Sequence, residues 1–409
     1  MKAHHFFLNR ECILVRGRTG SAIYNLFTGE MIALNSEIAM VLRLAEKGLR
    51  VNEIADSLSK DTNSVEEVLN RVAARDMGRF YSKRIYVEKY KKGHSLTGRF
   101  FMDPPVISKC YIELPGACDL ACSFCESPKI YPCTMCSKNS TKFNEGFLRA
   151  FLKRLFSMRC VSLVFHGGDP IANQDKLLSI TEFCRAEGFN GEIFVITNGT
   201  HIDHAVIKWL ARYKIHPVIP FMGERNGSLI AQEKLAHLAQ AFHQKGVEFT
   251  LTLVIDNANA TEVQRIEDFA KNLGARSILR TAILDNDEGK LTEGVRALGR
   301  QMVRTTADVF YHNTEYHPCL GQTLAVSADG NLLPCPFLKD EVLGNIADSH
   351  VIGEIFESRT VDEYWCLNLS QIERCKDCAL RYGCLDCRVV EKRLSGDLYG
   401  KILCSYNFR

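Results

Sequence analysis

Three closely spaced cysteines constrain this chain more than any other feature of its sequence. Cys118, Cys122 and Cys125 form a CxxxCxxC motif that directly follows residues 109–115, an apolar stretch that predicts a buried strand. Three thiolates can bind one face of a 4Fe-4S cube and leave its fourth iron open, whereas electron-carrying clusters normally have four cysteine ligands. An open coordination position is typical of a catalytic metal site. A zinc knuckle is the structural alternative.

Downstream of residue 109, apolar stretches alternate with amphipathic ones, which predicts parallel strands joined by helical crossovers. The predicted strands are residues 109–115, 161–167, 192–198, 216–222, 248–255 and 276–284. The predicted helices are residues 144–157, 174–188, 203–212, 230–245, 260–272 and 290–309. The expected fold class is α/β, with six βα units in a partial barrel. The cysteine motif then follows the carboxyl end of the first strand, where β/α barrels place their chemistry.

The cysteine motif has an aromatic residue, Phe124, before its third cysteine, and it resembles the signature of the radical S-adenosylmethionine (SAM) superfamily. The resemblance implies a partial (β/α)6 TIM-like radical SAM barrel. It also implies that SAM chelates the open iron and is split to a 5′-deoxyadenosyl radical, which abstracts a substrate hydrogen. A reducing donor such as flavodoxin or ferredoxin supplies the electron. On the same basis Phe124 lies near the adenine; its alternative role is that of a core aromatic.

Two predicted strand ends resemble SAM-binding segments of that superfamily. Gly167, Gly168 and Asp169 match its glycine-glycine-acid-proline turn, whose backbone bonds the amino group of SAM, and glycine suits a backbone that approaches a ligand closely. Thr197 and Asn198 match its ribose-contacting segment. Ordinary Gly-Gly and Asn-Gly turns are the structural alternatives.

Three further residues are left open by the sequence. Arg280 is a charge inside the last predicted strand, and it either pairs with a carboxylate at the cofactor site or is satisfied structurally. Cys133 and Cys136 form a CxxC after the first motif, and the sequence assigns them no role: they can hold metal, form a redox pair or line the cavity.

The carboxyl-terminal part of the chain contains a second group of cysteines. They are Cys319, Cys335, Cys375, Cys378, Cys384, Cys387 and Cys404. Their spacing resembles the SPASM extension of peptide-modifying radical SAM enzymes, which implies two auxiliary 4Fe-4S clusters. A pair of zinc ribbons is the alternative.

The resemblance also implies how these thiols divide. Cys375, Cys378, Cys384 and Cys404 complete one closed cluster. Cys319, Cys335 and Cys387 serve the other, whose last iron is open or is held by water, a non-cysteine group or a stray thiol such as Cys366. An open iron there can bind a substrate thiolate; the alternative is an electron relay with a solvent ligand.

The amino-terminal region predicts three strands followed by three helices. The strands are residues 12–17, 21–27 and 31–35, and the helices are residues 36–48, 51–59 and 64–77, with Ser36 and Ser64 as the amino-terminal caps. This pattern fits a winged-helix DNA binder or the PqqD-like recognition element of ribosomally made peptides (RiPPs), in which a leader peptide adds a strand to the sheet. Glu66 and Glu67 begin the third helix and would repel phosphate, so the peptide-binding interpretation is favoured and no nucleic-acid partner is expected.

These features predict four segments: residues 1–90, a winged-helix-like leader-recognition domain; 91–108, a linker; 109–312, the radical SAM barrel; and 313–409, the SPASM domain. Residues 1–100 carry 17 Lys and Arg and 11 Asp and Glu. Seventeen cysteines with clustered CxxC spacing favour metal ligation in a reducing compartment over disulfides. No signal peptide or membrane span is indicated, so a cytoplasmic location is expected.

The predicted function is modification of a ribosomally made precursor peptide that carries a leader, with thioether or carbon-carbon crosslinking as the leading chemistry. Two alternatives stay open: an anaerobic sulfatase-type protein maturase, and a non-catalytic iron-sulfur or zinc regulator that binds DNA.

Overall fold

The computed structural model describes residues 4–18, 20–91, 105–116, 118–136, 144–223, 229–284, 293–298 and 302–404. Its amino-terminal elements are β1 (His5–Leu8), β2 (Cys12–Arg16), β3 (Ser21–Asn25), β4 (Met31–Leu34), α1 (Ser36–Glu46), α2 (Val51–Leu58), α3 (Thr62–Ala73) and β5 (Gly78–Tyr81). Strands β2, β3 and β4 form an antiparallel sheet, which confirms the three predicted strands. The antiparallel pair of β1 and β5 was not predicted from the sequence.

The helix caps of this unit differ from the prediction by one to three residues. The side chain of Asn35, rather than Ser36, caps α1 by accepting a 2.8 Å hydrogen bond from the amide of Ile38. Asp61 caps α3 by accepting from the amide of Ser64, so Ser64 lies within the first turn instead of before it. Asn, Asp and Ser are all favoured at this position, and the sequence pattern alone does not choose between neighbours.

The second region contains the predicted strand and helix alternation. Its elements are β6 (Lys109–Glu113), β7 (Lys129–Ile130), α4 (Glu145–Ser157), β8 (Ser162–His166), α5 (Gln174–Ala186), β9 (Glu192–Ile196), α6 (His204–Tyr213), β10 (Ile215–Phe221), α7 (Gln232–Lys245), β11 (Thr250–Ile255), α8 (Val263–Asn272), β12 (Ser277–Ile283) and α9 (Glu293–Leu298). All six predicted strands are present as β6 and β8 to β12, and neighbours in this series are parallel. The closure of these strands into a partial barrel stays a prediction.

Alternate residues of these strands face different cores. Leu163 and Phe165 of β8 pack with the helices, whereas Val164 packs with Tyr111 of β6 on the opposite, inner face. A parallel sheet covered on one face by crossover helices produces this division. The loops that leave the carboxyl ends of the strands border this inner face.

The predicted helix at residues 290–309 is wrong as a single element. Within the described residues, α9 ends at Leu298 and α10 (Ala307–Glu315) begins nine residues later. The amide of Val303 donates to the carbonyl of Gly383, and the amide of Thr305 donates to that of Gly29. Because these amides bond to other segments, they are not available to a helix. Residues 290–292 and 299–301 of the prediction lie outside the described residues.

The remaining elements are β13 (Thr323–Val326), β14 (Asn331–Leu333), β15 (Gly344–Asn345), α11 (Val351–Glu357), α12 (Asp362–Trp365) and α13 (Arg388–Ser395). Strand β13 pairs in parallel with β6, so the ten-stranded sheet has the order β15-β14-β13-β6-β8-β9-β10-β11-β12-β7. One sheet therefore spans both sides of the predicted domain boundary at 312/313. No helix in the described part of the chain is long and apolar enough to span a membrane.

The amino-terminal sheet packs directly on the cysteine-rich tail. The Tyr24 hydroxyl donates a 2.8 Å hydrogen bond to the carbonyl of Ala379, and the Tyr24 ring contacts Phe310. The amide of Arg18 donates to the carbonyl of Asp377. These contacts bring the amino-terminal unit next to Cys378, which lies between Asp377 and Ala379 in the sequence.

Candidate active site

The first cysteine motif lies on the loop that leaves β6 and lines a cavity of about 420 Å³. Cys118, Cys122 and Cys125 are all half-buried thiols. Burial, together with the neighbouring Cys118 and Cys125, raises the pKa of Cys122 to about 11. Three thiolates this close repel one another until a cationic group neutralises them, so the trio is suited to a metal cluster.

The loop after β8 brings its backbone close to that of the residues that follow β6. Gly167 and Gly168 have φ angles of 105° and 55°, in the left-handed region that favours glycine. A Cβ at Gly167 would lie 2.5 Å from the carbonyl oxygen of Leu114, at the end of β6. Glycine at position 167 therefore allows this turn to pack against the first strand.

Asp169 is a buried carboxylate with one unused oxygen. Its side chain has no solvent exposure, and Oδ1 accepts a hydrogen bond from the amide of Ile171. Oδ2 has no hydrogen-bond partner among the described residues. Burial raises the pKa of Asp169, while a hydrogen bond from Thr197 opposes that shift. A buried acceptor without a partner fits a ligand ammonium, which is the group that the SAM resemblance assigns to this turn.

The end of β9 connects to the cysteine motif through polar contacts. Asn198 Nδ2 donates to Cys118 Sγ at 3.6 Å and to Asp119 Oδ1 at 3.1 Å. His201 Nε2 lies 3.1 Å from Asp119 Oδ2. Burial opposes ionisation of Asp119, but the hydrogen bond from Asn198 and the neighbouring His201 hold its pKa below the ordinary value. The sequence analysis missed Asp119 and His201, although Asp119 lies inside the cysteine motif.

Two residues that the sequence analysis assigned to cofactor binding contact other side chains of the protein. Phe124 is buried with Met135, Met222 and Val254, and it also lines the motif cavity. Arg280 pairs with Glu267 of the covering helix α8, on the helix-facing side of β12. The Arg280 contact favours the structural alternative of the sequence analysis over the cofactor-binding role.

The first auxiliary group contains a cysteine that the sequence analysis left without a role. The thiol of Cys133 is hydrogen-bonded to that of Cys319, and Cys335 and Cys387 lie close enough to act on both electrostatically. Cys366, which the sequence offered as a stray ligand, instead lies near Asp362 and packs against the central core. Only tertiary contacts could distinguish these two thiols.

The structure brings the four cysteines of the second predicted auxiliary group near one another. Cys375 is influenced by Cys404 and Cys378, and Cys384 is influenced by Cys375 and Cys378. Burial raises the pKa values of Cys375 and Cys384 to about 12. As in the first motif, binding of a metal cluster would release their protons.

A buried ion network joins the loops of the two auxiliary groups. Asp386, which lies between Cys384 and Cys387, contacts Arg388 and lies 2.7 Å from Lys401 Nζ and 3.1 Å from His317 Nε2. His317 Nδ1 accepts hydrogen bonds of 3.0 Å from the amides of Cys319 and Leu320. Burial opposes ionisation, but the charges of Lys401 and Arg388 and a hydrogen bond from the His317 ring hold the pKa of Asp386 well below its usual range. The network fixes both cysteine loops to one carboxylate.

In the described part of the chain, no group of thiols is gathered as tightly as the ligands of a single zinc ion. Four thiolates at 2.3 Å from one tetrahedral zinc lie about 3.8 Å apart. Among the described residues, no three cysteine sulfurs lie within 4.8 Å of one another; the group that does is Asp119, Asp169 and His201. A four-iron cube separates its cysteine ligands more widely than one ion does.

Comparison with protein families supports iron-sulfur cluster binding in two parts of the chain. A family described as a 4Fe-4S single cluster domain matches residues 110–218. A second family, SPASM, described as an iron-sulfur cluster-binding domain, matches residues 318–379. Two segments of the chain therefore resemble iron-sulfur cluster-binding domains.

Relatives and solved structures extend the likeness. The PqqA peptide cyclase of Gluconobacter oxydans (strain 621H) is 23% identical over 283 residues, which cover 62% of this chain and 75% of that relative. The structure of anSMEcpe with bound AdoMet aligns with a TM-score of 0.52 and 20% identity, over 69% of this chain and 90% of that one. Streptococcus suis SuiB bound to precursor peptide SuiA aligns with a TM-score of 0.51 and 13% identity, over 98% of this chain and 100% of that one. At these identities the structures show a shared fold.

Proposed function

We propose that this chain is a radical SAM enzyme that modifies a ribosomally made precursor peptide. The observation that carries the proposal is the three-thiol motif together with the buried Asp169, which lies within 4.8 Å of Asp119 in that motif and whose Oδ2 has no hydrogen-bond partner in the described part of the chain. The chain resembles a relative named as a peptide cyclase, and its fold resembles that of SuiB, whose structure contains a precursor peptide, along nearly the whole length. A sulfatase-type maturase is the second candidate, because the fold of anSMEcpe, solved with bound peptide, is also shared.

The residues around the motif have distinct roles in this proposal. Cys118, Cys122 and Cys125 hold a 4Fe-4S cluster, which, when reduced with SAM bound, provides the carbon radical that removes a hydrogen atom from the peptide. Asp169 Oδ2 accepts a hydrogen bond from the SAM amino group. Asn198 orients Cys118 by donating to its sulfur, and it restrains Asp119 at the same time.

Other SAM contacts come from the loops after β8 and β9. The backbone of Gly167 and Gly168 approaches the SAM amino group, and Thr197 and Asn198 contact its ribose. The Phe124 ring, at the wall of the motif cavity, lies near the adenine. The cysteines of the two auxiliary groups would hold clusters that provide a path for electrons between a reduced donor protein, such as flavodoxin or ferredoxin, and the reaction site.

The amino-terminal unit, residues 1–90, is proposed to bind the leader of the precursor. Strands β2 and β4 are the edges of its sheet, so either can accept an added peptide strand. Residues 1–100 carry 17 basic and 11 acidic side chains, so electrostatic attraction to an acidic leader contributes to affinity. Because the unit packs against Ala379 and Asp377, a bound leader begins beside the auxiliary cysteines. The proposed location of the enzyme is the cytoplasm, where a reduced donor is available.

The test uses the full chain, reconstituted anaerobically with iron and sulfide, and the short peptide encoded beside its gene. We expect 5′-deoxyadenosine to form with dithionite, and the peptide to change mass by loss of two hydrogens when a crosslink forms. Asp169→Asn should weaken SAM binding at least tenfold, because an amide still fills the site but lacks the charge that attracts the ammonium. A peptide of unchanged mass, with SAM cleavage intact, would favour the sulfatase-type alternative, which a sulfatase-derived cysteine peptide then tests.

A further inference from the structure

We propose that Cys133 is the fourth ligand of the auxiliary cluster that Cys319, Cys335 and Cys387 hold. This inference rests on the proposed auxiliary cluster and adds a residue from outside the tail. Cys133 lies in the region that follows the first cysteine motif, about 190 residues before Cys319 in the sequence. The cluster would then be closed by four thiolates, three from the tail and one from the barrel.

The contacts of the Cys133 side chain carry the assignment. Its sulfur accepts hydrogen bonds from the Cys319 thiol and from the hydroxyl of Tyr111, on the inner face of β6. Cys335 and Cys387 are both electrostatically coupled to Cys133. Cys133 is therefore the thiol that completes this group.

The backbone around Cys133 is held in place from several directions. The residues before it form β7, an antiparallel partner of β12 at the edge of the sheet. Inward-facing hydroxyls of two barrel strands then fix the turn: Thr281 donates to the carbonyl of Ile130, and Thr252 donates to that of Thr134 at 3.1 Å. A ligand on a turn anchored at both ends is positioned before the cluster binds.

The same turn also contacts the tail loop that supplies Cys387. The Tyr131 hydroxyl donates to the carbonyl of Leu385 at 3.3 Å, and the backbone of Tyr131 bonds to the sulfur of Cys387. The sulfur of Cys335 accepts from the backbone of Phe337 and Leu338. Backbone amides that point at cysteine sulfurs stabilise thiolates and are a usual feature of iron-sulfur sites.

Two other cysteines provide a contrast. Cys136, three residues after Cys133, lies in the cavity of the first motif, and the thiols of Cys118 and Cys122 raise its pKa together with burial. Cys366 lies by Asp362 and outside both auxiliary groups. Of these three thiols, Cys133 is therefore the one that lies within the auxiliary group.

A closed cluster has a functional consequence. With four thiolates, no iron of this cluster is available to a substrate thiolate, so the cluster acts in electron transfer. Sulfur that enters a thioether must then be positioned by other groups. A thiolate from the barrel also ties the tail to the loop that leaves the first motif, so binding of the auxiliary cluster orders both regions together.

The experiment compares Mössbauer and EPR spectra of anaerobically reconstituted full-length protein in a background that lacks the first motif (Cys118→Ala, Cys122→Ala, Cys125→Ala). In that background all iron belongs to the auxiliary groups. We expect Cys133→Ala to give one iron site without full thiolate coordination, and mild oxidation to convert that cluster to a 3Fe form. Added 2-mercaptoethanol should bind the open iron of the variant and should leave the background protein unchanged.

Control variants separate the possible failures. Cys136→Ala and Cys366→Ala in the same background should leave the auxiliary spectra unchanged, and circular dichroism identifies any variant that fails to fold. Loss of one cluster in the Cys319→Ala, Cys335→Ala double variant checks the auxiliary cluster itself, independently of Cys133. Four-thiolate spectra in Cys133→Ala, or a Cys133–Cys319 disulfide in the loaded protein, would overturn the assignment.

Discussion

The first cysteine motif and the auxiliary cysteine groups use the same ligand in opposite surroundings. Cys118, Cys122 and Cys125 lie on one loop beside a cavity, and Asp119 of that loop is within 4.8 Å of Asp169, whose Oδ2 has no partner among the residues that the structure describes. The auxiliary thiols come from distant segments, accept backbone hydrogen bonds and lie next to a buried network centred on Asp386. Open coordination and an unused acceptor suit substrate chemistry, whereas enclosed thiolates suit structure and electron transfer.

The largest expected effect comes from removing the first motif. Replacing Cys118, Cys122 and Cys125 with Ala should abolish 5′-deoxyadenosine formation, because the only proposed site for SAM chelation is lost. Iron content should fall from about twelve to about eight atoms per chain, since each 4Fe-4S cluster contributes four. Assay of SAM cleavage with iron analysis measures both. Retained cleavage would mean that an auxiliary group performs the reaction, and the contrast between the regions would fail.

The buried network at Asp386 provides the next test. Asp386→Asn removes the carboxylate that pairs with the buried Arg388 and leaves Lys401 paired with Glu391 alone, so we expect a loss of about 3–5 kcal/mol in the free energy of unfolding. Auxiliary cluster content should fall while the first cluster is retained. Thermal unfolding of the loaded protein and EPR of each cluster measure these effects.

Asp362→Asn is the matched control, because Asp362 pairs with Arg359 on the surface, where the exposed fraction of the Arg359 side chain is 79%. We expect a change below about 1 kcal/mol for this exposed pair. Equal destabilisation by Asp386→Asn and Asp362→Asn would show that the buried network does not support the auxiliary loops.

The buried His166 is expected to make the stability of the protein depend on pH. Its ring packs between Tyr111 and Phe337, and burial, aided by the positive charge of Lys339, lowers its pKa to about 3. The unfolded chain takes up a proton near pH 6.5 while the folded chain does not, so stability falls with decreasing pH from about 6.5 toward 3. Between pH 7.5 and 5.5 this contributes about 1.4 kcal/mol.

The His166→Gln variant should lose less stability than the parent protein over that interval, because glutamine does not titrate. The midpoint of thermal unfolding, recorded at both pH values and constant salt, gives the comparison. The same pH dependence in both proteins would assign it to other groups.

The smallest effect is expected at Arg280. Its ion pair with Glu267 is partly exposed on the outer face of the sheet, so Arg280→Ala should change stability by about 1 kcal/mol or less. SAM affinity, measured by equilibrium binding, should stay within about twofold of the parent value. A loss of SAM affinity of tenfold or more would support a cofactor-binding role for Arg280. It would also contradict the assignment of Arg280 to the outer, helix-facing side of the sheet.

Local patterns in the sequence were sufficient for much of the fold. The six parallel strands follow from apolar runs such as residues 161–165, and the three amino-terminal strands follow from alternation and turn residues. Helix ends were less secure, because Asn35 and Ser36, or Asp61 and Ser64, offer competing caps. The break between α9 and α10 depends on hydrogen bonds to Gly29 and Gly383, which are remote in sequence.

By itself the sequence predicted thiols for three clusters and a turn suited to SAM, because CxxxCxxC and Gly-Gly-Asp-Pro spacings are local. Only the tertiary structure decided which distant thiols meet. The sequence could not distinguish Cys133 from Cys136 or Cys366, since a thiol has the same character wherever it stands. The anchoring of the Cys133 turn by Thr252 and Thr281 depends on strands more than a hundred residues away. Side-chain convergence of this kind is a property of packing, and it carries no signal in local residue spacing.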